Sequence, residues 1–259
     1  DEFQDISKAR ARLLKKIKEE NNSKLYCVGD DWQAIYGFIG GDINIFTKNF
    51  SKYFGFFESQ AIDVTFRYGE NINKVTSTFI KKNPDQLGKK VESLVEDKGE
   101  IYIYDKINFE EVISKYANTK SKIYILGRQN IQNYKTFEQG NAITKKRINN
   151  ITNKFKNIEY KTIHSAKGLE ADHIFIINLF VGIDGFPTQK INDEILKIVH
   201  SSNDLISEER RLMYVAMTRA RKTVHLFSGS EWACSDFVKE IARDYPTNIK
   251  SFLKKTTRV

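Results

Sequence analysis

The chain has 259 residues, of which 40% are hydrophobic and 29% charged, proportions of an ordinary globular protein with room for one large domain or two modest ones. No apolar run approaches the ~20 residues that span a membrane, the first residues are acidic and polar rather than signal-like, and two cysteines, Cys27 and Cys234, fit a reducing, cytoplasmic setting. The net charge of +9 suits a polyanionic partner, nucleic acid first, although lysine and asparagine are abundant throughout the chain.

Taken in order, the chain alternates helix and strand. Ala9, Leu13, Leu14 and Ile17 share one helical face that ends at Asn21-Asn22-Ser23. Leu25 to Val28 reads as a short buried strand holding a buried Cys27 thiol, with a turn at Gly29-Asp30-Asp31, the end of a parallel strand where ligands bind. A helix is expected over Ile43 to Tyr53, a strand over Ala61 to Phe66, and a helix through Ile72, Val75, Phe79 and Ile80 that stops at Asn83-Pro84. Strands at Ile101 to Tyr104 and Ile123 to Leu126 bracket a helix from Phe109 to Tyr116.

Residues 129–158 are polar and weakly periodic, and read as a loop-rich insertion. Strands follow at Tyr160 to His164 and Ile174 to Leu179, then a surface excursion over 182–206. Glu208 to Arg221 reads as a helix capped by Ser207, with Glu208 and Glu209 in its first turn. Thr223 to Phe227 is a further strand, and Phe237 to Ala242 lies in a closing helix. The alternation predicts an α/β fold with a parallel sheet flanked by helices.

The chemistry gathers in a few stretches. Asp1-Glu2-Phe3-Gln4-Asp5 offers acidic oxygens of the kind that hold magnesium and activate water. Gly29-Asp30-Asp31-Trp32-Gln33-Ala34-Ile35-Tyr36 follows an apolar run with a polar side chain, Gln33, and an aromatic. Thr65-Phe66-Arg67-Tyr68 sets an arginine at a strand end, where a fork of fixed charge can bind phosphate oxygens. Thr162-Ile163-His164-Ser165-Ala166-Lys167-Gly168-Leu169-Glu170 is the most specific string of all, and Thr218-Arg219-Ala220-Arg221 closes a helix. Each has a plainer reading when taken alone: an acidic helix start, core aromatics at Tyr36 and Phe38, surface cations at Arg67, Lys167 and Arg221. His164 has no His or Cys cluster beside it and does not read as a metal ligand. No Gly-x-x-x-x-Gly-Lys-Ser/Thr phosphate loop occurs.

Taken together, these stretches resemble the UvrD/Rep family of superfamily 1 DNA helicases over essentially the whole chain. The resemblance implies two RecA-like motor domains: a C-terminal remnant of the first over residues 1–64, and the second over 65–259 with a short insertion near 129–158. It implies ATP and Mg²⁺ as ligands, with Asp1 holding the metal, Glu2 polarising the attacking water, and Gln33 sensing the γ-phosphate. Arg67 and Arg219 would reach the same phosphate, Phe66 would stack on the adenine, and Glu170 would face the nucleotide. Tyr36, Phe38, Thr162 and His164 would lie along single-stranded DNA or a single-strand/duplex junction. Family members often carry an arginine beside the groove aromatic, and Gly37 and Ile39 stand there instead. The short insertion sets the chain apart from members with a large helical subdomain at that place. The implied activity is ATP-driven 3′-to-5′ movement on DNA and duplex unwinding; without a phosphate loop, the 259 residues alone are expected to be inactive. The motor part of a helicase–nuclease and a DNA-binding module that lost catalysis remain as alternatives.

Overall fold

The structure is a computed structural model that describes residues 1–84, 86–104, 109–133, 143–182, 185–188, 202–228 and 234–251. A six-stranded, wholly parallel sheet dominates it. Its strands, in chain order after the two-residue β1 (Val64–Thr65) and β2 (Glu92–Ser93), are β3 (Glu100–Tyr104), β4 (Ile123–Gly127), β5 (Ile158–Thr162), β6 (Ala171–Leu179), β7 (Ala220–Ser228) and β8 (Ile249–Ser251). Their spatial order is β5-β4-β6-β7-β3-β8. β1 and β2 form a separate parallel pair.

Alternation along the strands sends side chains to two separate cores. Ile101, Ile103, Tyr124, Leu126, Ile174, Ile176, Val224 and Leu226 face one layer. Helices α4 (Glu70–Ile80), α7 (Ser202–Met217) and α8 (Asp236–Asp244) cover it. Ile123, Ile125, Phe175, Ile177 and Phe227 face the other, beneath α5 (Phe109–Ala117) and α6 (Lys145–Lys154). Strands buried on both faces are why these segments read as near-continuous apolar runs. In β6, Asn178 takes a left-handed backbone (φ 59°) at a register shift. Its amide accepts from Ile143 N–H at 2.9 Å and donates to Ile143 carbonyl at 3.0 Å, so a side chain completes what the ladder leaves open.

Residues 1–63 hold a smaller core of their own: Phe3, Ile6, Ala11, Ile45 and Phe54. It joins α1 (Lys8–Glu20), whose N-terminus Ser7 caps by accepting from Arg10 N–H at 3.3 Å, to α2 (Ile43–Thr47) and α3 (Phe50–Phe54). Trp32 and Ile35 leave this small core and bury themselves fully in the core beneath α4 and α7.

Several expectations need correction. Leu25 to Val28 is not a strand: among the described residues no strand pairs with it, Tyr26 is 90% exposed, and Cys27 is only half-buried. An apolar run without a ladder partner has nowhere to place its backbone hydrogen bonds; here Val28 carbonyl accepts only from Phe3 N–H, at 2.9 Å, among the backbone donors. α1 turns Ala11, not Leu13 and Ile17, to the small core. The expected helix over Ile43 to Tyr53 is broken at Lys48-Asn49 into α2 and α3, and the strand at Ala61 to Phe66 shrinks to β1. Within 129–158, α6 forms with Ile148 and Ile151 buried and Thr144 as its cap, while 134–142 lie outside the described residues. α7 begins at Ser202, so Ser207 lies inside the helix, and it stops at Met217; Arg221 belongs to β7. Of the excursion over 182–206, residues 183–184 and 189–201 lie outside the described set.

Candidate nucleotide cleft and DNA-facing groove

The sheet delivers two loops to one place: the turn after β5, residues 163–170, and the α7–β7 junction at Thr218-Arg219. Backbone bonds lock them together, with Ala171 N–H donating to Arg219 carbonyl at 3.0 Å. Opposite them stand Glu2 and the 3-10 turn Asp31–Gln33.

Arg219 is 1% exposed. Its guanidinium donates to Val215 carbonyl at 3.0 Å, to Leu169 carbonyl at 3.4 Å and to Gln33 Oε1 at 3.0 Å. Burial, and then the charge of nearby Arg67, pushes its pKa down to about 10, so it stays charged at neutral pH but is held at an energetic disadvantage that an anion would relieve. Arg67 donates through Nε to Glu170 at 3.1 Å. Glu170 also accepts from Arg221, and these two cations hold its carboxyl below the usual range. The two arginines expected on the γ-phosphate are thus close enough to repel one another. One is answered by Gln33 and the other by Glu170. Phe66, beside Arg67, is largely exposed and offers a free ring face.

Glu2 adopts a left-handed backbone (φ 53°, ψ 37°), an uncommon conformation for a residue with a side chain. Burial opposes its ionisation, but Lys167 at 2.8 Å, with Gln4 and Arg219 behind it, holds the carboxyl below its ordinary range. Lys167 also pairs with Asp5 and lies 5.2 Å over the Tyr36 ring. Burial raises the Asp5 carboxyl despite that partner. Asp1 is exposed, and its Oδ1 accepts the Glu2 N–H at 2.8 Å. Among the described residues no group of three or more His, Cys, Asp or Glu side chains converges as a metal cage. Magnesium keeps most of its waters and needs one or two carboxylates, and Asp1 supplies an oxygen of that kind.

On the far side of the 163–170 turn lies an aromatic patch. Phe38, half-exposed, meets the His164 ring edge-on at 5.1 Å between centroids, and Tyr36 lies 6.1 Å from Phe38 and 6.0 Å from His164. Tyr36 hydroxyl donates to His164 carbonyl at 3.2 Å. Burial, and then Arg128, lowers the His164 pKa to about 4, so this imidazole is neutral at pH 7 and acts as a ring rather than a cation. The Thr162 hydroxyl accepts from Ser165 N–H at 3.1 Å and shapes the turn. Gly37 leaves the space that Glu208 fills: a Cβ there would stand 2.5 Å from the Glu208 carboxylate.

The structure therefore brings Glu2, Gln33, Arg67, Glu170 and Arg219 together, and Tyr36, Phe38 and His164 into one aromatic patch beside them, with Thr162 at the start of the turn that carries His164. Sequence reasoning missed Lys167 as the bridge between them, and it missed Arg211, whose Nε donates to Ala34 carbonyl at 2.6 Å. The signal for Lys167 was its place inside the specific string; nothing in the sequence marked Arg211. Arg210 pairs with Glu240 at 2.6 Å, away from the cleft.

Residues 1–54 match the UvrD/REP helicase N-terminal domain and residues 128–230 the UvrD-like helicase C-terminal domain. The chain belongs to the UvrD-like helicase family. It is 38% identical over 233 residues to DNA helicase IV of Escherichia coli, a match covering 86% of this chain and 32% of that protein. A probable DNA helicase of Mycoplasma pneumoniae is 26% identical over 251 residues, covering 89% of this chain and 43% of the relative. The ATP-dependent DNA helicase Rep of Buchnera aphidicola is 46% identical over 66 residues, 25% of this chain and 8% of that protein. The chain thus spans about a third of the E. coli protein and under half of the M. pneumoniae one.

Proposed function

We propose that the chain is the sensing and gripping part of an ATP-dependent DNA helicase that moves 3′ to 5′ on single-stranded DNA and unwinds duplex at single-strand/duplex junctions. Residues 1–64 then belong to the first motor domain and 65–259 to the second, with the turn at 31–36 docked across the seam. The observation that carries this reading is the Arg219–Gln33 bond, a buried guanidinium from one side of the cleft meeting the amide of the other at 3.0 Å.

In this reading Asp1 would hold Mg²⁺, whose charge would offset that of the transferred phosphoryl group. Glu2 polarises the attacking water. Arg67 and Arg219 take the γ-phosphate oxygens, and Gln33 reports their position. Phe66 stacks on the adenine. A phosphate entering between the arginines competes with Glu170 for Arg67 and with Gln33 for Arg219, and relieves the burial penalty on Arg219. Glu170 and Lys167 lie on the turn that also carries His164, so a change of partners at the phosphate is felt at the strand. Tyr36, Phe38 and His164 present ring faces that stack on bases whatever their identity, and Thr162 lines the same path. Cys27 and Cys234, neither of them in a disulfide, accord with a cytoplasmic setting.

The test is ATP turnover by a helicase polypeptide that carries this chain together with a phosphate loop. Arg219→Ala is expected to lower kcat about a hundredfold or more while single-strand affinity stays near wild type. Equal loss of both would remove Arg219 from the phosphate.

A further inference from the structure

One cluster of charge beside the cleft takes no part in the reading above. Asp30 and Asp31 stand together at the start of the turn that carries Gln33. Lys89, from the segment between α4 and β2, makes ion pairs with both, at 3.0 Å to Asp31. Asp31 is 1% exposed; burial raises its carboxyl and so does Asp30, while Lys89 opposes them. The segment around Lys89 clasps the turn at further points. Leu87 N–H donates to Asp31 at 2.8 Å, the Gln86 amide donates to it at 3.0 Å, and the Trp32 indole N–H donates to Leu87 carbonyl at 3.3 Å. The Lys89 ammonium also lies 4.5 Å over the Trp32 ring.

Asp30 passes this grip to the sensor. Its carboxylate accepts from Trp32 N–H at 3.0 Å and from Gln33 Nε2 at 2.6 Å. An amide has a donor end and an acceptor end, and a flip exchanges them. With Nε2 tied to Asp30, the acceptor Oε1 faces Arg219. The flipped amide would set a donor against the guanidinium, which has no acceptor. Without Lys89, the Asp30 carboxylate loses the cation that anchors it, and the bond that selects the Gln33 orientation weakens.

We infer that Lys89 is a positioning residue for the γ-phosphate sensor: it holds Asp30, and through Asp30 it fixes which end of the Gln33 amide meets the phosphate-binding arginines. This rests on the proposed role of Gln33, so the test separates the two. Steady-state ATP turnover at saturating single-stranded DNA is measured in the helicase polypeptide that carries both this chain and a phosphate loop, for Gln33→Ala, Lys89→Met, Lys89→Arg and the double variant Gln33→Ala/Lys89→Met. The expected result is a fall in kcat of about tenfold or more for each alanine or methionine variant, no further fall in the double variant, recovery of most of the rate in Lys89→Arg, and an unchanged DNA affinity; the thermal midpoint is expected to fall in Lys89→Met, which leaves the buried Asp31 charge without its cation. Asp31→Asn/Lys89→Met, which removes the buried charge together with its cation, is expected to restore the thermal midpoint while the loss of turnover remains.

Wild-type kcat in Lys89→Met, additive losses in the Gln33→Ala/Lys89→Met variant, a fall in DNA affinity in step with turnover, or turnover restored together with the thermal midpoint in Asp31→Asn/Lys89→Met would each overturn the inference and leave Lys89 a structural ion pair. Wild-type kcat in Gln33→Ala would overturn the sensor reading itself, and this inference with it.

Discussion

The six-stranded body and the opening 63 residues are built on different terms. In the body, the central strands β4, β6 and β7 are buried over most of their length, and two cores of buried aliphatic and aromatic side chains flank the sheet. The opening segment has a core of five fully buried residues and leaves Leu13, Ile17, Tyr26 and Val28 exposed. Yet that segment carries Glu2, Gln33, Tyr36 and Phe38. These candidate residues are held in register less by their own core than by what the segment makes with the body: Trp32 buried beside Tyr214, Ala34 carbonyl bound by Arg211, and Glu2 and Asp5 paired with Lys167. The proposed nucleotide site is made of contacts across a seam rather than within one core.

The largest effect is expected where the segment enters the body. Trp32→Ala removes a fully buried indole and its bond to Leu87, and should destabilise the chain by about 3–5 kcal/mol, read as a lower midpoint in urea. A loss under about 1 kcal/mol would mean that the segment is not anchored there. The groove comes next. Phe38→Ala should weaken binding of a labelled single strand by about 1–3 kcal/mol without changing the slope of affinity against salt, because stacking rather than a phosphate contact is lost. A changed slope at equal affinity would place the ring away from the bases.

A smaller effect separates the two regions by pH. His173 and His225 lie in the body, and burial lowers both below the ordinary value of 6.5. A group whose folded pKa is depressed gives stability that is fully present above its unfolded pKa and is lost as pH falls through the window below it. Urea unfolding should therefore show stability falling as pH drops below about 6.5, with less of a fall in His225→Gln, which cannot charge. Asp5 and Asp31, raised by burial, act in the opposite sense at lower pH. The smallest effect is expected at Leu13→Ser on the exposed face of α1, within about 0.5 kcal/mol; a larger loss would show that this face is covered in solution.

Legibility in the sequence followed the same division. Strands β3, β4, β6 and β7 were readable because double-sided burial demands unbroken apolar runs, and α5 because Phe109, Val112 and Ile113 keep helical spacing. The run at Leu25 to Val28 looks the same on paper but finds no strand to pair with, so periodicity could not place it. Ser207 looked like a cap because Glu208 and Glu209 follow it, yet α7 had already begun at Ser202. In the cleft, the residues carried by specific strings, Arg67, Glu170, Arg219 and Gln33, came together. Lys89 and Arg211 did not announce themselves, since a lysine between helix and strand or an arginine on an amphipathic helix reads as solvated until its buried partner is known.

The central claim is that one turn, residues 163–170, serves a nucleotide on one side and a strand on the other, with Lys167 spanning them. The direct measurement is single-strand affinity with and without a non-hydrolysable ATP analogue, in wild type and Lys167→Met helicase carrying a phosphate loop. The account predicts that the analogue shifts wild-type affinity by about fivefold or more, and that the shift disappears in Lys167→Met while both ligands still bind. An equal shift in the two proteins would contradict it.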